Sequence, residues 1–444
     1  MTALFRGPLL AAAIALSPLA WSGTAQAQVE ITEITSPGGI DAWLVQETAL
    51  PFVALELVFP GGTSLDPEGA EGAASLMASM LGQGAGDLDT QGFAVASEEI
   101  AASFDFDANA DAITVSARFL TEVQDDAVDL LRLALTEPRF DPADFRRAQA
   151  RAISSARSGQ RNPGTLAGQR LAELAWGDHP YGRPGGGTEQ SFAELTPEHL
   201  RDAHARGLAR DRVHVAAVGD IDPDTLGALL DRLLGDLPEA SADLPGRAEL
   251  QFDGGVEVVP FNAPQAVVAF GHPAIDREDP DFFAAFVMSE VLGGGRFGTR
   301  LMRALREERG LTYGVGAWMG NRAFGDMIQG RFATSPDRVG EAIEVVRAEW
   351  ARMAAEGLSE AELTSIQTFL IGAYPLRFDG NARIASILAG MQLQGFGPDY
   401  IAERNDLVAA VTLEEVRALS ARLLDPDALQ FVVVGPEGLL DLSN

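Results

Sequence analysis

Apolar positions along the chain alternate between short runs that suit strands and longer stretches with helical spacing. Runs of about five to seven apolar residues, such as those near Val53 and Val267, predict buried strands. Longer amphipathic stretches predict helices over Pro142 to Ser158, Gly164 to Trp176, Asp281 to Leu292, Pro336 to Glu356 and Glu360 to Tyr374. This mixture predicts an α+β fold, in which each sheet is mostly antiparallel and has helices packed on one face.

Two distant segments share one pattern. Leu195 to Gly219 and Val411 to Gly435 each read as a capped amphipathic helix, a short break and an apolar strand that ends in glycine. They align from end to end without a gap, with Thr196 and Thr412 both at the N-cap position. The apolar runs near Val53 and Val267 have nearly the same spacing. The repeat predicts two homologous domains in tandem.

The boundary between these domains is expected near Leu244. The stretch from Leu237 to Gly246 carries two prolines with small and acidic residues, which is the composition of a linker. We therefore predict an N-terminal domain over 28–243 and a C-terminal domain over 244–444.

The start of the chain, positions 1–27, has the pattern of a secretory signal peptide. Leu9 to Ala20 follows Arg6 and is apolar, and Ala25 to Ala27 supplies the small residues that a signal peptidase recognises. The apolar run is too short to cross about 30 Å of bilayer comfortably. We expect cleavage after Ala27, a bacterial periplasmic location and no membrane span in the mature chain.

Composition removes several classes of function. The 33 basic and 64 acidic residues give a net charge of −31, all 33 basic residues are arginine, and cysteine is absent. Without lysine or cysteine, Schiff-base enzymes, Walker-type phosphate loops, thiol nucleophiles and cysteine zinc sites are excluded. Because the charge repels a phosphate backbone, no nucleic-acid partner is expected.

The five histidines do not suggest a metal site. His199 and His204 are five positions apart, which turns them about 140° from each other on a helix. His179 falls in a loop, His214 in an apolar strand and His272 just before a proline. Each is interpreted as a structural residue.

A family resemblance enters at Leu292 to Val315, where a glycine triplet leads into a helix with an Arg-Glu pair and then into a Gly-Leu-x-Tyr turn. This segment resembles the C-terminal half of a subunit of the insulinase-like, or pitrilysin, zinc peptidase family. His179 to Pro184, Leu195 to Pro197 and Val218 to Asp220 agree with it. The resemblance extends from about Val53 to Gly435.

The resemblance implies a zinc site on a first-half helix with the pattern His-x-x-Glu-His, completed by a distant glutamate. The equivalent helix is expected over Glu68 to Leu81, where both histidine positions are serines, Ser75 and Ser79, and the glutamate position is Ala78. The distant glutamate falls at Ser155, or at Ser154 if the register slips by one. Because neutral serine is a poor zinc ligand, we expect these degenerate positions to hold no metal.

The resemblance also implies two groups that face the zinc from the second half. Arg306 and Tyr313 match an arginine and a tyrosine, seven positions apart, that contact the substrate backbone near the scissile bond. Gly293, Gly294 and Gly295 match a glycine-rich loop that is implicated in substrate contact, although a helix stop and a tight turn explain them equally well.

The chain is therefore expected to be the non-catalytic subunit of a heterodimeric periplasmic zinc peptidase. It would contact peptide substrates and carry no cofactor, while a homologous partner holds the zinc; whether it is an enzyme in its own right stays open. The acidity suggests a chamber that favours basic peptides. Two alternatives stay open: a structural or assembly subunit without a peptidase role, and a periplasmic ligand-binding protein.

Overall fold

The computed structural model describes residues 30–439, so the expected signal peptide lies outside the described residues. Eleven strands form two sheets within this range. The strands of the first sheet are β1 Thr32–Thr35, β2 Asp41–Gln46, β3 Phe52–Pro60, β4 Ser103–Ala108, β5 Ala112–Leu120 and β6 His214–Gly219. Those of the second sheet are β7 Gly255–Pro260, β8 Ala266–Pro273, β9 Thr312–Arg322, β10 Gly325–Thr334 and β11 Gln430–Gly435.

Fourteen α-helices accompany these sheets in residues 30–439. Those before the second sheet are α1 Ala73–Ala78, α2 Thr90–Glu99, α3 Gln124–Thr136, α4 Pro142–Gly159, α5 Pro163–Trp176, α6 Glu189–Glu194, α7 Pro197–Gly207 and α8 Pro223–Leu234. The later ones are α9 Phe282–Leu292, α10 Val339–Glu356, α11 Glu360–Ala373, α12 Asn381–Leu393, α13 Tyr400–Ala410 and α14 Leu413–Leu423. A π-helical turn, Met302–Glu307, precedes β9.

Both sheets are mostly antiparallel, as predicted. The strand order is β1-β2-β6-β3-β5-β4 in the first sheet and β7-β11-β8-β10-β9 in the second. One pair in each sheet, β2 with β6 and β7 with β11, is parallel. The same position of the parallel pair in both sheets agrees with an internal duplication.

The two segments aligned by sequence have the same structure. When Gly219 is aligned with Gly435, helix α7 and strand β6 coincide with α14 and β11 at both ends. The backbone N–H of Thr412 donates to Glu415 at 2.8 Å, and Thr196 donates to the Nδ1 atom of His199 at 3.2 Å. Equivalent capping therefore begins both helices at the same point of the repeat.

The helices of each half pack on one face of their own sheet, as predicted. The inner face of the first sheet packs on α1, α3, α7 and α8, and that of the second on α9, α10 and α14. The opposite face of each sheet is covered by a helix from the other half. Helix α12 packs on β3 and β6, and α5 packs on β8 and β11.

This exchange of helices follows from strands that are apolar on both sides. In β3, Val53 and Leu55 face the inner core while Ala54 and Val58 contact α12 through Leu388 and its neighbours. A strand that is apolar on both faces needs another element packed against each face, because an exposed apolar sheet face is unfavourable in water. The two halves therefore complete each other's cores.

The predicted helices at 142–158, 164–176, 281–292 and 360–374 are present within one or two residues, and the one at 336–356 begins with a short 3₁₀ turn before α10. The helix predicted over 68–81 is shorter, because only 73–78 is α-helical. Residues 239–254 have no helix or strand and join the two sheets. Within residues 30–439 no helix has the length and apolarity needed to cross a membrane.

Candidate functional site

A cavity of about 560 Å³ lies between α1 and α4. Its lining includes Ser75 and Ser79 from the α1 segment and Ser155 from α4. Ser75 and Ser79 share one side of the segment, since the backbone N–H of Ser79 donates to the carbonyl of Ser75 at 3.1 Å. The structure thus brings together three positions that the family resemblance assigns to a degenerate zinc site.

Two other residues of that assignment lie elsewhere. Ala78 is 1% exposed and packs away from the cavity, and Ser154 is exposed on α4 without lining it. The position of Ser155 therefore favours the first of the two registers considered for the distant glutamate. The assignment of these positions to a lost metal site stays a prediction.

Asp66 fixes the start of α1 beside this cavity. Its Oδ2 atom accepts from the Gly72 backbone N–H at 2.9 Å, and its Oδ1 atom accepts from Ala74 at 3.0 Å. Burial raises the pKa of Asp66 to about 7 against the opposing effect of these hydrogen bonds. Gly69 and Gly72 have φ values of 86° and 90°, so the chain turns sharply there and the helix begins only at residue 73.

The cavity does not suit a zinc ion. In the described part of the chain, its lining supplies serine and threonine hydroxyls and amide groups but no histidine, cysteine or carboxylate. Arg151, one turn before Ser155 on α4, also lines it and adds a positive charge that repels a cation. Within residues 30–439 no three histidine, cysteine, aspartate or glutamate side chains are grouped so that they could bind a metal.

Arg151 was missed by the sequence analysis, although the signal was available. It is four residues before Ser155, so the two side chains lie on the same face of α4. A positive charge beside the hydroxyls of Ser75 and Ser155 gives the cavity hydrogen-bond donors of the kind that suit a carbonyl or carboxylate oxygen, whereas the Ser79 hydroxyl donates to the Leu76 carbonyl at 2.7 Å.

Three histidines bond to backbone carbonyls, as structural residues do. The Nε2 atom of His204 lies 2.7 Å from the Leu135 oxygen, and that of His179 lies 3.0 Å from the Gly246 oxygen. His272 is fully buried between the Pro273 and Asp425 oxygens. Burial lowers the pKa of all three, which favours the neutral ring at pH 7.

Arg306 and Tyr313 are on the surface of the second half. Arg306 is exposed at the end of the π-helical turn, with its guanidinium 5.1 Å from the ring centroid of Phe297. Tyr313 is 85% exposed near the start of β9. Neither side chain hydrogen-bonds within residues 30–439, and neither lines the cavity at Ser155. Both groups are therefore available to a molecule outside this chain.

The glycine triplet divides into packed and open positions. Gly293 and Gly294 are buried, and a Cβ atom on Gly293 would lie 2.5 Å from the Cβ of Ala317 in β9. Gly293 is thus needed for the close approach of α9 to β9. Gly295 is exposed, and a Cβ there would meet nothing within 4 Å. Only Gly295 offers free backbone to a ligand.

Two family models match consecutive parts of the chain. The model described as "Insulinase (Peptidase family M16)" matches residues 43–189. The model described as "Peptidase M16 inactive domain" matches residues 194–370. The two matches together include both sides of the duplicated architecture.

Curated relatives come from several bacteria. A protein of Helicobacter pylori named as a non-peptidase homolog is 27% identical over 329 residues, which is 74% of this chain and 76% of that protein. An uncharacterized zinc protease of Mycobacterium tuberculosis is 30% identical over 277 residues. That alignment includes 62% of this chain and 63% of the mycobacterial protein, which is less than two thirds of it.

Solved structures show the same architecture. A peptidase M16 inactive domain from Pseudomonas fluorescens has a TM-score of 0.85 at 27% identity, covering 92% of this chain and 98% of that one. A protease from Helicobacter pylori has a TM-score of 0.81 at 15% identity, covering 92% of this chain and all of that one, and shares the fold alone. The duplicated fold, the paired family models and these relatives have one explanation: the chain belongs to the insulinase family of peptidases, family M16.

Proposed function

We propose that this chain is a non-catalytic, substrate-contacting subunit of a two-chain zinc peptidase. A homologous partner would bind the zinc, and this chain would supply Arg306 and Tyr313 to the partner's site. The observation that carries the proposal is a contrast between the two halves. The cavity at Ser75, Ser79 and Ser155 offers no zinc ligands, while Arg306 and Tyr313 are exposed and have no hydrogen-bond partner within residues 30–439.

The two exposed groups suit a carbonyl that gains negative charge. A guanidinium donates several N–H bonds from a fixed plane, and a phenol donates one O–H bond. Donors aimed at an oxygen that becomes an anion stabilise the transition state of peptide hydrolysis more than the ground state. The chemistry of water activation would belong to the partner, since this chain has no suitable ligand set at Ser75.

The name of one relative and the description of one family model support the separation of roles. The Helicobacter pylori relative is described as a non-peptidase homolog, and residues 194–370 of this chain match the M16 inactive-domain model. We propose the same absence of independent peptidase activity for this chain. We also propose a periplasmic location, because residues 1–27 have the composition of a signal peptide.

The substrate class follows from charge. With 64 acidic and 33 basic residues, the chain would attract basic peptides into a chamber and repel acidic ones. Cleavage by the two-chain complex should therefore be faster for a basic peptide than for an acidic peptide of equal length, and the difference should shrink as salt is added. Equal rates at low salt would remove this part of the proposal.

The test of the proposal is a pull-down of the tagged chain from an envelope extract of its source organism, followed by mass spectrometry. Recovery of a homologue of similar size with His-x-x-Glu-His, in near-equal amount, is expected. Purified complex should then cleave peptides, while this chain alone should not. Stable association with unrelated proteins would instead favour a structural or assembly subunit, and recovery of the chain alone with a small molecule would favour a ligand-binding protein.

A further inference from the structure

A second cavity, of about 360 Å³, lies where α9, α12 and α13 meet. Among residues 30–439, seven aromatic rings and three arginines line it, and no acidic side chain does. This composition is unusual in a chain of net charge −31. The site is separate from Arg306, Tyr313 and the serine cavity, none of which contributes to its lining.

The arginines lack anionic partners. Arg404 is 5% exposed and donates to the Leu370 carbonyl at 3.0 Å and to Asn405 at 3.2 Å, both neutral groups. Within residues 30–439 neither Arg404, Arg277 nor Arg377 has a carboxylate oxygen within 4.0 Å of its guanidinium nitrogens. Glu290 interacts with Arg404 only over a longer distance. Burying a cation without an ionic partner is costly, so this cluster is poised to accept an anion.

The carboxylates near Arg277 pair with a different arginine. Asp276 and Asp326 both pair with Arg247, the former at 2.8 Å. Arg277 instead donates to Gln394 and lies 4.8 Å from the ring centroid of Phe396. Burial lowers the pKa of Arg277 and of Arg404, but arginine remains protonated at pH 7. The positive charge of the cavity is therefore permanent.

Stacked rings form part of the apolar lining of the cavity. Phe396 and Tyr400 are parallel within 17°, with centroids 3.9 Å apart. Tyr374 lies under Arg404, with 4.5 Å between the guanidinium carbon and the ring centroid. Flat rings of this kind favour an aromatic guest by stacking and by apolar burial.

One glycine borders the open space in this cavity. Gly390 is within α12 and lines the cavity, and a Cβ atom on it would meet no heavy atom within 4 Å. Glycine in a helix interior is less favourable than alanine, so its presence here is not explained by helix stability. Exposed Arg377 and Ser386 belong to the same lining, and they connect the cavity to solvent.

We propose that this cavity, called the aryl-anion site below, binds a small molecule in which an aromatic ring carries a carboxylate or similar anionic group. The ring would stack beside Phe396 and Tyr400, and the anion would pair with Arg404 and Arg277, with Arg377 at the entrance. A cavity of this volume is within the usual range for small-molecule sites. The proposal is independent of the peptidase role, because it requires no partner chain.

The test is isothermal titration calorimetry of the purified full chain with 2-naphthoate, with neutral 2-naphthamide and with inorganic phosphate. We expect saturable binding of one naphthoate per chain, and binding of the amide and of phosphate at least about tenfold weaker. Equal affinity for naphthoate and its amide would overturn the role of the arginines. Equal affinity for phosphate would overturn the aromatic part, and no saturation by about 1 mM naphthoate would overturn the site itself.

Variants separate a ligand site from a structural cluster. Gly390→Leu should fill the cavity and abolish binding, whereas Gly372→Leu, the same change at an exposed position of α11 with open space around it, should not. Arg377→Ala should weaken naphthoate binding about fivefold or more, while Arg146→Ala on exposed α4 should leave it unchanged. Wild-type affinity in either variant, Gly390→Leu or Arg377→Ala, would overturn the proposal, so the test still decides if one of the two fails to fold.

Discussion

Arg322 stacks on Tyr181 across the junction of the two halves, with its guanidinium carbon 3.6 Å from the ring centroid. The phenol of Tyr181 donates to Asp111 and accepts from the Phe324 backbone N–H at 2.9 Å. One residue of the first half thus fixes the hairpin between β9 and β10 to the edge of the first sheet.

Tyr181→Phe should destabilise the protein without changing its shape. Tyr181 is 3% exposed, so loss of its hydroxyl group leaves the Phe324 N–H buried without a partner, at a cost of about 1–3 kcal/mol. Urea unfolding followed by circular dichroism measures the loss. Tyr313→Phe is the matched control and should change the unfolding free energy by less than about 0.5 kcal/mol, because Tyr313 is 85% exposed. Equal effects of both variants would refute the role of the junction.

Arg306→Ala should lower the turnover of the two-chain complex. Loss of one donor to a developing oxyanion typically reduces turnover about 10²–10³-fold. Arg303 is exposed on the same π-helical turn, so Arg303→Ala controls for the loss of surface charge. Assembly and melting temperature should be unchanged in both variants. If Arg306→Ala turns over as fast as Arg303→Ala, the contribution in trans is absent.

Stability should fall in acid through Glu362. Its carboxylate accepts two hydrogen bonds from Arg300, each at 2.8 Å, and these lower the pKa of Glu362 from 4.5 to about 2. Because the folded pKa is the lower one, the stabilisation is complete above about pH 5 and is lost as pH falls from there to about 2. Allowing for partial exposure, we expect this loss to lower the free energy of unfolding by about 2 kcal/mol.

Glu362→Gln is the variant that isolates this dependence. The wild type should exceed it in unfolding free energy at pH 7, and the difference should narrow progressively between pH 5 and pH 2. Glu360→Gln, at an exposed neighbouring position, should follow the wild type at every pH. A difference that stays constant with pH would show that the ion pair with Arg300 is not its cause.

Restoring ligands should create a zinc site if the register at Ser75 is right. The variant Ser75→His/Ser79→His/Ser155→Glu places two imidazoles and a carboxylate around the existing cavity. We expect one zinc per chain with a Kd below about 1 μM, measured by calorimetry with a competing chelator. Replacing Ser154 in place of Ser155 should weaken binding at least about tenfold, because Ser154 does not line the cavity. Equal affinities would mean that the register is wrong.

Local patterns predicted much of this fold. The repeat placed α7, β6, α14 and β11 because capping residues and apolar runs recur in the same order. The length of α1 was overestimated, since a pattern of apolar residues does not reveal that Gly69 and Gly72 turn the chain. The spacing of apolar residues could not show that α12 packs on the sheet of the other half, because the choice of sheet depends on packing between distant residues.

One candidate site could be predicted from the sequence and the other could not. Ser75, Ser79 and Ser155 could be placed together from helical spacing and a family framework, and they do share a cavity. The aryl-anion site could not be foreseen, since its lining comes from residues 277 to 404 on several elements. Side chains that only tertiary packing brings together do not recur at regular spacing in the sequence, so no periodic pattern reveals them.

The exchange of α5 and α12 sets an order of events during synthesis. The first sheet gains its last strand when Gly219 is made, but its outer face is uncovered until synthesis reaches Leu393 at the end of α12. At a rate of roughly 5–20 residues per second, the interval between these two points is about 9–35 s. During this time Trp43 and Val218 lack their packing partners on α12, so the nascent chain exposes an apolar surface. We therefore expect chains truncated before α12 to aggregate, because the outer face of the first sheet then has no helix to cover it.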